Sequence, residues 1–373
     1  MKKIRVMHII DKLGVRGSSI HGVTQILVQS IPLFDPQRFQ FSVCSLRAPE
    51  TAGELLKQED VKLYYLNKGK FDPTTLSSLL AVIQKERPQI VHLHGFGAGN
   101  FGRIAALLKG LPNIVHEHVV FPHQPRYQTL ADAILSPLTT KGIAVSHPVR
   151  DYMVKYRKIK PEKVETLFFG LSLSEFQPPP PDEIHEQRAL LGIAPDEQVV
   201  CTVGRLDTQK GQRYLLKAAR LILEELPRTR FLIVGDGPDR EMLTSLVQED
   251  GIADRVIFTG FRTDVATLIS LSDVFVIPSL FEGGPITLFE AMNMRKPVVG
   301  TPVGLMGDLI QDGETGFLVP CEDVSLLAER LITLLKNPEL SQMIGEKGWQ
   351  VCQQYDISHY VQRLGEIYQE LAA

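Results

Sequence analysis

The chain of 373 residues has little cysteine, one tryptophan and no long apolar run. Its four cysteines, Cys44, Cys201, Cys321 and Cys352, lie far apart with no Cys-x-x-Cys or Cys/His spacing. This excludes a disulfide-stapled scaffold and a cysteine zinc site, and predicts reduced thiols in a cytoplasmic protein. No stretch approaches the ~18 apolar residues of a membrane-spanning helix. Met1 to Ile10 is short, interrupted by Arg5 and His8 and followed by Asp11, so it reads as a first β-strand rather than a secretory leader. Low-complexity tracts and short-period repeats are also missing. At 44% hydrophobic and 22% charged the composition excludes intrinsic disorder, and at roughly 150 residues per domain the length predicts two domains.

The formal net charge of −3 conceals a split. Residues 1–176 carry 23 Lys+Arg against 14 Asp+Glu, and the remainder 17 against 29. Eight of the ten histidines precede residue 150. So abrupt a change marks two units with different surfaces and partners. Between them Gln177-Pro178-Pro179-Pro180-Pro181-Asp182 reads as a stiff extended linker, which sets the expected domains at 1–176 and 177–354. Short apolar and β-branched runs recur on both sides. Before the linker they are Ile4–Ile10, Phe41–Leu46, Val61–Leu66, Ile90–Leu93, Ile114–Val115, Ile143–Val145 and Val164–Phe169. After it come Val199–Val203, Phe231–Val234, Val256–Thr259, Val274–Ile277, Val298–Val299 and Phe317–Val319. Amphipathic stretches such as Val23–Ile31, Leu76–Lys85 and Phe101–Leu108 separate several of them. The alternation predicts an α/β protein of two doubly wound, Rossmann-like domains facing each other across a cleft. Ser358 to Leu371 reads as a final amphipathic helix.

Two segments carry chemistry. Val203-Gly204-Arg205-Leu206-Asp207-Thr208-Gln209-Lys210-Gly211 follows a strand and precedes a helix starting near Gln212. A glycine turn, two cations and free helix N–H groups at the carboxyl end of a strand suit a diphosphate. Phe281-Glu282-Gly283-Gly284-Pro285-Ile286-Thr287-Leu288-Phe289-Glu290 again leads from a strand into a helix. Glu290 lies among apolar neighbours and needs a partner, and carboxylates pair naturally with the vicinal hydroxyls of a sugar or ribose. Val234-Gly235-Asp236-Gly237-Pro238 and Thr259-Gly260-Phe261-Arg262 end strands of the same set.

These loops, with Asp312-Gly313 and Thr315-Gly316, make the stretch from Val199 to about Leu318 resemble the retaining glycosyltransferases of family 4, which have the GT-B fold. The resemblance implies that Arg205 and Lys210 hold a donor diphosphate, Glu290 the ribose and Glu282 the donor-sugar hydroxyls. It implies further that Gly283, Gly284, Pro285, Ile286 and Thr287 surround sugar and phosphate, that Gly204 and Gly235 line the donor, and that Gly260, Phe261 and Arg262 lie near the base. The first half resembles the family more loosely. Val115-His116-Glu117-His118 selects His118 as the active-site histidine, with His116 deeper on the same strand face, and His94 ends a similar pair with His92. His21-Gly22 stands where two glycines are expected, which puts Gly22 on the donor side and leaves His21, Arg16 and His94 as acceptor-side candidates. The final helix is expected, at about 355–373, to cross back onto the first domain.

The resemblance implies retaining transfer of a hexose from a UDP- or GDP-sugar to a hydroxyl of a glycan or lipid-linked acceptor. Asp-x-Asp occurs nowhere in the chain, so no metal and no other cofactor is expected. With no carboxylate nucleophile evident in the first half, a same-face reaction is favoured. Positive charge in that half, including Lys155-Tyr156-Arg157-Lys158-Ile159-Lys160, fits a peripheral site on an anionic membrane surface, and no aromatic-studded basic motif speaks for nucleic acid. A sugar-nucleotide 2-epimerase and a non-catalytic partner subunit are the alternatives.

Overall fold

The computed structural model describes residues 3–14, 22–50, 52–58, 61–121, 123–173 and 176–373. Its contacts divide the chain into two compact units, Met1–Gly170 with Ile357–Ala373, and Leu171–Asp356.

The first unit is built on β1 (Ile4–Ile10), β2 (Phe39–Ser45), β3 (Lys62–Tyr65), β4 (Ile90–His94), β5 (Asn113–Glu117), β6 (Lys141–Ala144) and β7 (Val164–Thr166). They pair in the order β3-β2-β1-β4-β5-β6-β7, every pair parallel. Parallel strands are covered on both faces and so read as nearly continuous apolar runs; in β1 the last five residues are all buried. The strand order reverses between β1 and β4, which opens a crevice at their carboxyl ends.

The second unit contains β8 (Gln198–Val203), β9 (Thr229–Val234), β10 (Val256–Gly260), β11 (Val274–Ile277), β12 (Val298–Gly300) and β13 (Phe317–Leu318), parallel in the order β10-β9-β8-β11-β12-β13. Here the switch point lies between β8 and β11. The helix Gln212–Glu225 buries Leu215, Leu216, Ala218, Ala219 and Ile222, a helical spacing that faces one stripe inward. They join Phe231, Ile233, Val276 and Leu331 in one core, where each large aliphatic contributes ~1.5–3 kcal/mol.

All thirteen strands fall on the expected runs, within three residues at either end. The division between units comes at Gly170/Leu171, earlier than the expected 176/177. Leu171 bridges to Asp356, its amide donates to the Tyr355 carbonyl, and the Leu173 amide donates to the Asp356 carboxylate. The two crossing segments are thus tied to each other within the second unit. The proline run is not all linker, because the helix Pro181–Leu190 begins inside it, and a proline at the first helical position gives up no intrahelical bond. The final helix, Ile357–Ala372, belongs to the first unit and buries Tyr360, Val361, Leu364, Ile367 and Tyr368. Among the described residues no helix is long and apolar enough to cross a membrane.

Candidate active site

In the second unit the loops after β8, β9, β10 and β11 all leave the carboxyl edge of one sheet. The β8 loop is stitched to its neighbours: the Gly204 amide donates to the Val234 carbonyl at 2.9 Å, and Leu206 to Asp236 at 3.0 Å. Asp207 accepts from the Lys210 amide at 3.2 Å, which closes the turn Thr208–Lys210. Gly211 then takes φ +66°, and a Cβ there would stand 2.0 Å from the Pro278 carbonyl oxygen. Only glycine lets the β8 loop press against the β11 loop. Gly235 is equally constrained, at φ +131° and with the Gly204 carbonyl 2.0 Å from a would-be Cβ.

This close approach brings together residues 72 apart in sequence. Lys210 Nζ lies 2.5 Å from Glu282 Oε1, and the Ser279 hydroxyl donates to the same oxygen at 2.9 Å. Glu282 is buried while Lys210 remains about a quarter exposed. Arg205, more exposed still, pairs with Asp207. Burial raises the Asp207 carboxyl above its ordinary range against the opposing pull of Arg205. Pro285 precedes the helix Ile286–Asn293, whose first amides have no partner within the helix. Glu290 lies in that helix, 7% exposed. Among the described residues its carboxylate makes no hydrogen bond or ion pair, and burial alone raises it to about 7. The partner expected for it is not supplied by the described residues. Gly283 accepts from the Leu305 amide at 2.9 Å, which anchors the β11 loop. Gly284, Ile286 and Thr287 are half-buried beside it. Gly260 ends β10, its carbonyl accepting from the Gly235 amide; Phe261 is exposed, and Arg262 is held by Asp264 at 2.7 Å.

In the first unit His118 directly follows β5. Its Nε2 lies 2.9 Å from His94 Nδ1, and His94 Nε2 lies 3.0 Å from His8 Nδ1. His94, expected on the acceptor side, is buried, and both its ring nitrogens are engaged. His92 and His116 form a second pair at 3.1 Å. Two groups, His8/His92/His94 and His94/His116/His118, place ring nitrogens within 4.8 Å of one another and have the donors to hold a metal ion. Gly22 is exposed at the start of the helix Gly22–Ser30; Arg16 and His21 lie outside the described residues.

The basic segment 155–160 is not one surface. Arg157 is 1% exposed and pairs with Glu117 and, at 2.7 Å, with Asp132, which also binds Arg103 at 2.8 Å; Ile159 is buried as well. Sequence reasoning missed this network because its members are 14 to 54 positions apart. It also missed Asp11, whose carboxylate accepts from the amides of Gly97 at 3.1 Å and Ala98 at 2.6 Å. The signal for Asp11 was an acidic residue directly after an apolar strand. The half-buried Asp11 and the buried Glu117, both near strand ends, are thus committed to the chain itself.

Two doubly wound parallel sheets, one with a cation-carboxylate pair and an unpartnered carboxylate at its switch point, are the architecture of a GT-B glycosyltransferase, an enzyme that moves a sugar from a nucleotide donor. A family model described as Glycosyl transferases group 1 matches residues 183–351, and one described as Glycosyltransferase Family 4 matches residues 22–175. The chain belongs to the family 4 glycosyltransferases. It is 26% identical over 94% of both chains to the UDP-Gal:alpha-D-GlcNAc-diphosphoundecaprenol alpha-1,3-galactosyltransferase of Escherichia coli. It is 29% identical to the alpha-D-kanosaminyltransferase of Streptomyces kanamyceticus, over 78% of this chain and 79% of that one. Among solved structures, Anabaena Alr3699/HepE in complex with UDP superimposes with a TM-score of 0.86 at 20% identity, over 98% of this chain and all of that one.

Proposed function

We propose that the enzyme transfers a hexose from a UDP-sugar, with retention of configuration, to a hydroxyl of a glycan or lipid-linked acceptor. The observation that carries this reading is the buried Glu290, without a partner among the described residues, on the helix that follows the loop of the Lys210–Glu282 contact. Arg205 and Lys210 neutralise the diphosphate as it leaves, with the free amides after Pro285 adding partial positive charge; stabilising developing charge in this way is often the largest catalytic contribution. Glu290 takes the ribose diol, and Glu282, steadied by Lys210 and Ser279, takes hydroxyls of the sugar. Gly204, Gly235 and Gly283 to Thr287 let backbone approach the donor, while Gly260, Phe261 and Arg262 border the base. On the first unit, His118 hydrogen-bonds the transferred sugar.

The acceptor oxygen bonds to the anomeric carbon on the face the diphosphate departs from, and the departing phosphate oxygen takes the acceptor proton. No enzyme carboxylate is spent as nucleophile, in keeping with the engagement of Asp11 and Glu117. The two cations do the work of a bridging metal, so none is required. UDP is favoured because the similar galactosyltransferase is named for UDP-Gal and the similar Anabaena structure holds UDP; the same relative's lipid diphosphate acceptor supports the acceptor class.

We further place the enzyme peripherally on the cytoplasmic face of an anionic membrane. The helix Arg126–Leu135 is inverted: its buried residues are the polar Gln128 and Asp132, whereas Tyr127, Leu130 and Ile134 are exposed. Lys70 sits 5.4 Å above the Tyr127 ring and 5.5 Å above that of exposed Phe71, adding a cation to an apolar face. A screen of nucleotide sugars in EDTA, reading nucleotide release with and without hydroxyl acceptors, tests the catalytic reading. Turnover with a UDP-sugar, an α-linked product from an α-donor and its abolition by Lys210→Ala are expected. Near-normal turnover in that variant, or a strict need for added metal, overturns the assignment.

A further inference from the structure

Each of the two cations assigned to the diphosphate sits against a carboxylate of the chain. Lys210 Nζ lies 2.5 Å from Glu282 Oε1, and the Arg205 guanidinium pairs with Asp207. Asp207 also accepts from the Lys210 amide. Burial raises the Asp207 carboxyl, Arg205 and Lys210 pull it down, and Glu282 pushes it up. The four charged groups thus act on one another, and their formal charges cancel. Main chain and side chains together fix Lys210 against Glu282. The Gln209 carbonyl accepts from the Leu280 amide at 2.8 Å, and the Gln209 side chain donates to the Phe281 carbonyl at 3.0 Å, so the residue before Lys210 grips the two residues before Glu282. The Ser279 hydroxyl holds Glu282 Oε1, and the Thr301 hydroxyl in turn donates to the Ser279 carbonyl.

Cations neutralised from within hold an anion less tightly than the same cations alone, because a carboxylate within about 5 Å of a phosphate repels it with an energy of the same order as a cation's attraction. That repulsion falls unequally on the two nucleotides the reaction exchanges. The sugar donor brings hydroxyls that can donate to Glu282, and its terminal phosphate has one ionisable oxygen. In the released nucleoside diphosphate the sugar is gone, and the oxygen that carried it ionises above a pKa of about 6. The added negative charge then faces Glu282 with no hydroxyl between them.

We propose that Glu282, with Asp207 beside it, makes the site prefer the sugar donor over the nucleotide product: the two carboxylates are internal counterions that loosen the diphosphate once the sugar has left. This rests on the proposed placement of Lys210 at the diphosphate and of Glu282 at the sugar. Glu282 acts on the ligand directly, whereas Asp207 is a positioning residue that acts through Arg205 and Lys210.

Calorimetric titration of the full chain at pH 8 in EDTA, with UDP and with UDP-glucose or UDP-galactose, tests the proposal. Glu282→Gln keeps the side-chain length and an oxygen that can accept from Ser279 and Lys210. It should bind UDP about tenfold more tightly than the original protein and the UDP-sugar no more tightly, so the preference for the sugar donor falls about tenfold. Asp207→Asn keeps an acceptor for the Lys210 amide and should tighten both ligands about threefold, since both carry the diphosphate. A merely structural role would give the opposite sign, because a damaged loop loses affinity for both. UDP affinity unchanged or weakened in Glu282→Gln, or a gain shared equally by the UDP-sugar, overturns the proposal; unchanged affinities in Asp207→Asn remove Asp207 from it. If neither the original protein nor the variants bind UDP or GDP, the donor reading itself fails and the counterion role falls with it, whereas tight UDP binding that Glu282→Gln does not improve refutes the counterion role alone.

Discussion

Replacing Glu290 by glutamine separates the cost of an unpartnered buried carboxylate from its use. In the folded protein the group is raised from 4.5 to about 7 by burial, which at about 1.4 kcal/mol per pH unit amounts to about 3 kcal/mol. Because the folded form binds its proton more tightly than the unfolded chain, this acid makes stability fall as pH rises through the window from 4.5 to about 7, with the loss complete above it. Glutamine mimics the protonated acid. Glu290→Gln should therefore match the original protein near pH 4 and exceed it by about 3 kcal/mol at pH 8.5. The single tryptophan, Trp349, lies in the helix Pro338–Cys352 of the second unit, so denaturant unfolding followed by its fluorescence reports the unit concerned. The same substitution should weaken UDP binding by about tenfold to a hundredfold, the worth of a hydrogen bond to a charged group. At pH 7 the original protein should release about half a proton more than the variant on binding UDP, measured by calorimetry in two buffers of different ionisation enthalpy. A variant less stable than the original at pH 8.5 would refute the reasoning, since it would mean that the carboxylate has a partner within the fold.

Arg157→Met leaves Glu117 buried without its cation and weakens the tie to Asp132, and should cost the first unit about 3–5 kcal/mol; circular dichroism is the suitable probe because Trp349 reports the other unit, and a loss below about 1 kcal/mol would contradict the network. Sedimentation with anionic liposomes should show salt-sensitive binding that Leu130→Ser with Ile134→Ser reduces about tenfold, while turnover of a water-soluble acceptor is kept; equal binding by the variant would remove that helix from the membrane face.

The two parallel sheets and the glycine-marked loops at their carboxyl ends were legible in the sequence alone. Strands buried on both faces must be apolar nearly throughout, and loops such as Gly204 to Gly211 and Gly283 to Pro285 must carry glycine or proline where backbones approach, so both leave local marks. Polar groups inside the fold leave none. The inverted face of Arg126–Leu135 has no explanation until Gln128 and Asp132 are seen on the ion-pair network beneath it, and Arg157 is indistinguishable from a surface cation until Glu117 and Asp132 are beside it. The paired histidines at 92/94 and 116/118 were legible as sharing strand faces by their alternation. That His8 joins them, and that Tyr368 bonds to His92 from a helix 276 positions later, depended on β1, β4 and β5 lying side by side and on the final helix packing in the first unit. Likewise Lys210 and Glu282 are each readable as loop residues, but their contact exists only because the reversal of strand order places β8 against β11. Periodicity and turn chemistry are properties of neighbouring residues; pairing of buried charges and ring nitrogens is a property of strand order, which only the folded chain decides.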